Sequence, residues 1–174
     1  MRPTSLVITV ALLGLGDLSF ATAQARSPTP AAPAPGSTAA GPTHVLLAPD
    51  AIQWQPIPRD WADGPPPPGF TLGQSEVAIL YGDPTREGEP FALRIRSTPG
   101  SQLPPHWHPI DENITVLSGV FCVGVGDKLD PSACQDMPAG SFILMPKGMH
   151  HFAVAKGDVV QLNGVGPFKI HWVR

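Results

Sequence analysis

Charge is scarce in this 174-residue chain. Asp, Glu, Lys and Arg together make up 14% of it, the formal net charge is -3, and Lys and Arg are scattered. That pattern leaves no electrostatic footprint for nucleic acid. Nucleotide and hydrolase signatures are missing as well: there is no GxSxG, P-loop or GxGxxG context. Ser118 and Ser141 have no evident base arrangement for nucleophilic catalysis. Long apolar runs are absent beyond Leu6 to Leu15 (LVITVALLGL), which is too short for an ordinary transmembrane helix. What the chain has in plenty is proline and glycine, 23 and 18 residues. Both break helices, which argues against an all-α fold.

The N-terminus reads as an export leader, residues 1–25. Arg2 supplies a positive start, Leu6 to Leu15 an apolar core, and Ala21-Thr22-Ala23 or Ala23-Gln24-Ala25 a small-x-small cleavage site. The rival is an uncleaved membrane anchor, and the short core favours cleavage. No cysteine lies in this region, which excludes a bacterial lipoprotein anchor. The expected location is periplasmic or secreted, with no membrane contact after cleavage. Residues 26–43 (RSPTPAAPAPGSTAAGPT) hold no large apolar side chain to offset their ordering entropy, and are expected to form a flexible tether. The folded unit is expected at 44–174, about 130 residues, enough for one sizeable core. Cys122 and Cys134 both fall in it. An oxidising compartment would let them form a disulfide, the favoured reading over a free buried Cys122.

Short β-type runs separated by Gly, Pro and Asp fill the folded part: Glu76–Tyr81, Phe91–Ser97, Asn113–Leu117, Val120–Val125, Ser141–Met145, His151–Ala155, Val159–Asn163 and Phe168–Val173. Many short strands with regular turns predict an all-β sandwich or barrel. FALRIRS alternates cleanly, with Phe91, Leu93 and Ile95 on one face. A short helical turn is possible over Asp130–Asp136. Ahead of the strands, Trp54, Trp61 and Pro65–Pro68 read either as an arm docked on the barrel or a second subunit, or as plain surface loop.

Chemistry concentrates in PPHWHPIDE, Pro104 to Glu112. Residues at i and i+2 of a strand share a face, so His106 and His108 point one way and Trp107 the other. Glu112 follows past the Pro109 bend. A second segment runs from Gly140 through a Pro146-Lys147-Gly148 turn to His150 and His151. Alternation puts His151, Ala153 and Ala155 on one face, with His150, Phe152 and Val154 on the other. Small alanines beside His151 leave room for a pocket, which makes His151 rather than His150 the inward-facing ring.

These two segments resemble the two motifs of the cupin superfamily. Gly100, five residues, His106-x-His108, three residues, Glu112, six residues and Gly119 match the first; Gly140, five residues, Pro146-x-Gly148, two residues and His151 match the second. The closing Asn of the second motif would fall at Ala155, a departure that touches a supporting contact rather than a ligand. The resemblance covers about residues 75–174 and looks like small bacterial single-domain cupins. It implies a double-stranded β-helix, a jelly-roll barrel, often dimeric, and one divalent ion on His106, His108, Glu112 and His151. That ligand set suits Fe, Mn, Zn, Ni or Co, and affinity order alone does not choose among them.

The functional expectation is an exported, metal-dependent cupin enzyme, dioxygenase-like, acting on a small organic substrate, with Glu112 as ligand or proton acceptor. The rival is a non-catalytic periplasmic metal- or ligand-binding module. Asp111, off the spacing, is expected to be solvated or in a turn. Gln161 and Asn163 are expected to bond within the sheet rather than line a pocket, and His171 to face solvent. The expected partners are a small molecule and a second copy in a homodimer.

Overall fold

The computed structural model describes residues 44–70 and 74–174. The expected leader at 1–25 and tether at 26–43 lie outside the described residues. Eleven strands run through the described part: β1 (Gln55–Pro56), β2 (Ser75–Tyr81), β3 (Pro90–Ser97), β4 (Gln102–Trp107), β5 (Glu112–Ser118), β6 (Val120–Val125), β7 (Gln135–Pro138), β8 (Phe142–Met145), β9 (His151–Ala155), β10 (Val159–Val165) and β11 (His171–Trp172). They form two sheets, ordered β1-β2-β3-β10-β5-β8 and β11-β4-β9-β6-β7. From β3 onward the chain keeps crossing between the sheets: β3, β5, β8 and β10 lie in one, and β4, β6, β7, β9 and β11 in the other. This winding is the double-stranded β-helix, and the all-β barrel expectation holds.

The interior follows from strand alternation. On β3, Phe91 and Leu93 are buried while Arg96 is exposed. On β10, Val160 and Leu162 are buried between half-buried Val159, Gln161 and Asn163. One core, which includes Val77, Leu93, Ile114, Val116, Val160 and Leu162, fills the space between the sheets. Gly119 makes the β5–β6 turn at φ 69, and a Cβ there would sit 2.1 Å from the Gly157 carbonyl oxygen. Only glycine satisfies both the positive φ and that approach.

Several elements depart from the sequence pattern. β4 carries Pro104 and Pro105, which cannot donate to a ladder. Its pairing with β9 breaks between Leu103 and His106, where those prolines fall. Polar β7 pairs with β6 at the edge of its sheet. The helical turn expected over Asp130–Asp136 is instead a turn at residues 131–133, followed at once by β7. Here Asp130 Oδ1 accepts from the amide and hydroxyl of Ser132, a side-chain turn that competes with helix. Phe168–Val173 is shorter than expected, with only His171 and Trp172 in a strand.

The arm docks on its own barrel. Trp61 is buried and meets Phe168 edge-to-face at 5.5 Å. The Ile170 amide donates to the Trp61 carbonyl at 2.7 Å, and the Asp63 amide to the Ile170 carbonyl at 3.0 Å. Trp54 lies under the Arg96 guanidinium, 4.5 Å from its ring centre. Cys122 and Cys134 form a disulfide. It ties the buried outer side of β6 to the loop that precedes β7, as expected for an oxidising compartment.

Candidate metal centre

His106, near the end of β4, stands opposite His151, the first residue of β9, in the strand register. His108 lies one residue beyond β4, yet it faces the same cavity as His106, as the i, i+2 alternation predicts. Glu112 opens β5. The two motif turns are tied together: the Gly148 amide donates to the His108 carbonyl at 2.8 Å, and the Lys147 amide to Asp111 Oδ1 at 2.8 Å. Asp111 therefore has the turn role expected of it. That cross-link delivers His151 to the same spot as His106 and His108.

One potential ligand atom from each of His106, His108 and His151 lies within 4.8 Å of the others. All three rings are buried, and each Nδ1 lies on a backbone carbonyl. His106 reaches Pro104 at 2.8 Å, His108 reaches Lys169 at 2.7 Å, and His151 reaches Met149 at 3.0 Å. A carbonyl only accepts, so each Nδ1 carries the proton and each Nε2 presents a lone pair. Glu112, 3% exposed, sets Oε1 3.4 Å from His108 Nε2 and Oε2 3.3 Å from His151 Nε2.

Those contacts bring carboxylate and imidazole lone pairs face to face, and Oε2 has no hydrogen-bond partner. Buried polar atoms are seldom left in that state. A divalent cation among them would satisfy every one, so the residues fit a metal. The charge states agree. Burial, reinforced by His151 and His108, holds His106 well below the usual imidazole range. Burial also lowers His108, against the opposing pull of Glu112. Burial pushes the Glu112 carboxyl up, while positive charge on the facing His108 and His151 rings would outweigh it and hold the group below its ordinary value. Neutral imidazoles and an ionised carboxylate are the ligand forms of both groups.

A cavity of about 90 Å³ runs through the barrel interior to these residues. His151, Ala153 and Ala155 line it along one face of β9, as the alternation predicts. Phe168 lies flat on His108 at 4.6 Å, and Ile57, Trp61 and Phe70 from the arm add apolar wall. His150 is outside the cluster, bonded through Nδ1 to Asp127 at 2.6 Å. Gln161 accepts from Arg94 Nε at 3.1 Å within the sheet, and neither Gln161 nor Asn163 lines the cavity; the Asn163 backbone carbonyl accepts weakly from Asn113 Nδ2 at 3.5 Å.

His171 lies on the barrel's outer face and keeps part of its exposure, in line with the expectation, but it also has partners there. It stacks on Trp107 at 4.1 Å and meets Asp63 at 3.3 Å through Nδ1. β11 pairs it with Trp107 across the barrel's outer face, a partner 64 residues away in sequence that no local pattern announces. Phe168 was also missed as a site residue. Asp158, in the turn between β9 and β10, lines the cavity as well. A lone acid in a Gly-Asp turn carries no signal of that.

The family model described as Cupin matches residues 73–166, more than half of the chain. The chain belongs to the cupin family. Among curated proteins this cupin is similar to the putative germin-like protein 9-2 of Oryza sativa subsp. japonica, 31% identical over 99 residues, covering 56% of the chain and 45% of that protein. It thus spans about half the length of that relative. Among solved structures it is similar to KdgF from Halomonas sp., at TM-score 0.51 and 18% identity over 71% of this chain and 96% of that one. It is also similar to the polyketide cyclase RemF from Streptomyces resistomycificus, at TM-score 0.53 and 17% identity over 74% of this chain and 82% of that one. At these identities both likenesses show the cupin fold alone.

Proposed function

We propose that this cupin is an exported, metal-dependent enzyme of the dioxygenase class acting on a small organic substrate. The observation that carries the reading is a cavity that leads directly to three fixed imidazole lone pairs and a carboxylate. His106, His108, Glu112 and His151 would hold the ion. A bound divalent ion supplies Lewis acidity, and a redox-active one such as iron or manganese also exchanges electrons with dioxygen.

The chain's own residues do the rest. The Pro104, Lys169 and Met149 carbonyls keep the three rings aimed inward. Phe168 and the arm exclude water from the His108 side. Glu112 holds negative charge at the centre, and its lowered affinity for protons makes it a better ligand than base. It becomes a proton acceptor only by swinging out of the cluster. No other acid lines the histidine end of the cavity, and this favours a second reading, a periplasmic module that binds metal or a small ligand without turnover. The disulfide supports export to an oxidising compartment, and cleavage after a leader at 1–25 is part of the same proposal. The folded domain at 44–174 belongs to the same reading, as does a homodimer, supported by exposed Phe142 and Leu144 on edge strand β8.

Elemental analysis of the purified mature chain, with oxygen uptake on phenolic, thiol and diketone compounds, tests both readings. Turnover that disappears in His108→Ala is the expected result. A stoichiometric ion with no turnover on any compound would move the assignment to the binding module.

A further inference from the structure

The far end of the same cavity holds an acid that the metal centre does not use. Asp158 is 1% exposed and lines the cavity together with the three histidines. Its Oδ1 accepts one long bond, 3.3 Å, from the Lys156 amide, and its Oδ2 has no partner. No cation among the described residues pairs with it; the Lys156 ammonium lies instead on Asp136 at 2.6 Å. Burial pushes the carboxyl up to about 6.

The polar groups around Asp158 are already committed. Ser75 and Ser97 bond each other at 3.0 Å, and Ser101 bonds Thr98 at 2.8 Å and the Gln74 carbonyl at 3.2 Å. Asp158 alone among these keeps a free buried acceptor. Between it and the histidines the lining is apolar, including Ala153, Ala155, Phe121, Val160 and Ile95. From His151 to Ala155 the inward face of β9 extends about 13 Å. A buried acceptor with no partner is costly in the free protein and is relieved by a donor entering the cavity.

We propose that Asp158 is the distal anchor of the ligand and takes a hydrogen bond from a hydroxyl or ammonium group. Together with the metal-centre reading, on which the other end rests, this defines the ligand class. It is a small organic molecule with an oxygen-donor head for the ion, an apolar body, and a hydrogen-bond donor at its far end.

The test is calorimetric titration of the full metal-loaded chain with straight-chain carboxylates of increasing length. Each is used unsubstituted, with a terminal hydroxyl and with a terminal amine, as in hexanoate, 6-hydroxyhexanoate and 6-aminohexanoate. At one chain length the terminal donor strengthens binding about five- to tenfold, the worth of one hydrogen bond. Asp158→Ala abolishes that advantage while the unsubstituted acid still binds. Asp158→Asn, which keeps the shape, weakens the ammonium advantage more than the hydroxyl one.

A parallel titration of metal-free chain with hexan-1-ol and hexylamine reads Asp158 without the ion. If the chain takes up no metal, the metal-centre reading fails, and this arm still decides on Asp158. A donor advantage absent at every length, or equal in wild type and Asp158→Ala, overturns the anchor.

Discussion

Inside the barrel, the Nδ1 atoms of His106, His108 and His151 rest on backbone carbonyls; on its outside, those of His150 and His171 rest on the carboxylates of Asp127 and Asp63. A backbone carbonyl is fixed in place and accepts only, so it sets both the ring angle and the tautomer. Each inner ring is left with one lone pair aimed at a common point. The outer rings are held by exposed side chains that can move, and neither belongs to the group of potential ligand atoms. The two sets have the same chemistry and differ in what holds them. A histidine becomes a metal ligand here through its second nitrogen as much as its first.

The sharpest way to break that comparison is to remove one ring from each side. His151→Ala is expected to lower metal affinity by at least about 100-fold, because even supporting contacts are worth about 10–100-fold. His150→Ala should leave the ion in place, as should Asp111→Asn, whereas Glu112→Gln should weaken it. Metal content after dialysis against a chelator measures all four. An equal loss in His150→Ala would end the distinction between the two sides.

Next in size is the outer loop that carries Asp127. The disulfide closes a sequence separation of 12 residues. Replacing both cysteines by alanine should cost about 2–3 kcal/mol in the chain-entropy account. Urea denaturation checks the cost, and elemental analysis of the same variant should find the inner site still loaded. Metal lost along with the disulfide would mean that the two sides are mechanically coupled.

Asp158 offers a smaller and pH-dependent effect. Its folded value of about 6 lies above the ordinary 3.8, so between those values the native state binds a proton that the unfolded chain has released. Stability therefore falls as pH rises through that window, and the loss is complete above about 6. Asp158→Asn removes the penalty and should gain about 1–2 kcal/mol over the parent at pH 7, with no gain below pH 4. Denaturation midpoints at both pH values decide it, and a gain independent of pH would contradict the buried acid.

The smallest effect belongs to the outer stack. His171→Ala should cost about 0.5–1.5 kcal/mol through the lost contact with Trp107, with metal content unchanged. A melting curve and a metal assay on one sample distinguish this from a role in the inner site.

How far each residue was legible depended on the range of the signal. Alternation along β3 and β9 is a local property, so the inward faces of FALRIRS and HFAVA were readable directly. β4 was readable only through the alternation of His106, Trp107 and His108, since its prolines leave it without a strand-like composition. The ring over Trp107, the aromatic lid on His108 and the free carboxyl of Asp158 all depend on partners brought in by β10, β11 or the arm. Nothing in their own neighbourhoods distinguishes them from surface residues.

The sequence by itself determined which side chains face inward and how far apart the ligand candidates fall, because strand period and glycine turns are written in local residue types. Two fixed spacings carried the cupin resemblance, and that resemblance implied His106, His108, Glu112 and His151 as the candidate set. Only the tertiary structure decided how those rings are held, because the carbonyls of Pro104, Lys169 and Met149 take their places through the packing of separate strands. The same packing left Asp158 buried and without a partner, since whether a polar group finds one depends on the whole barrel around it.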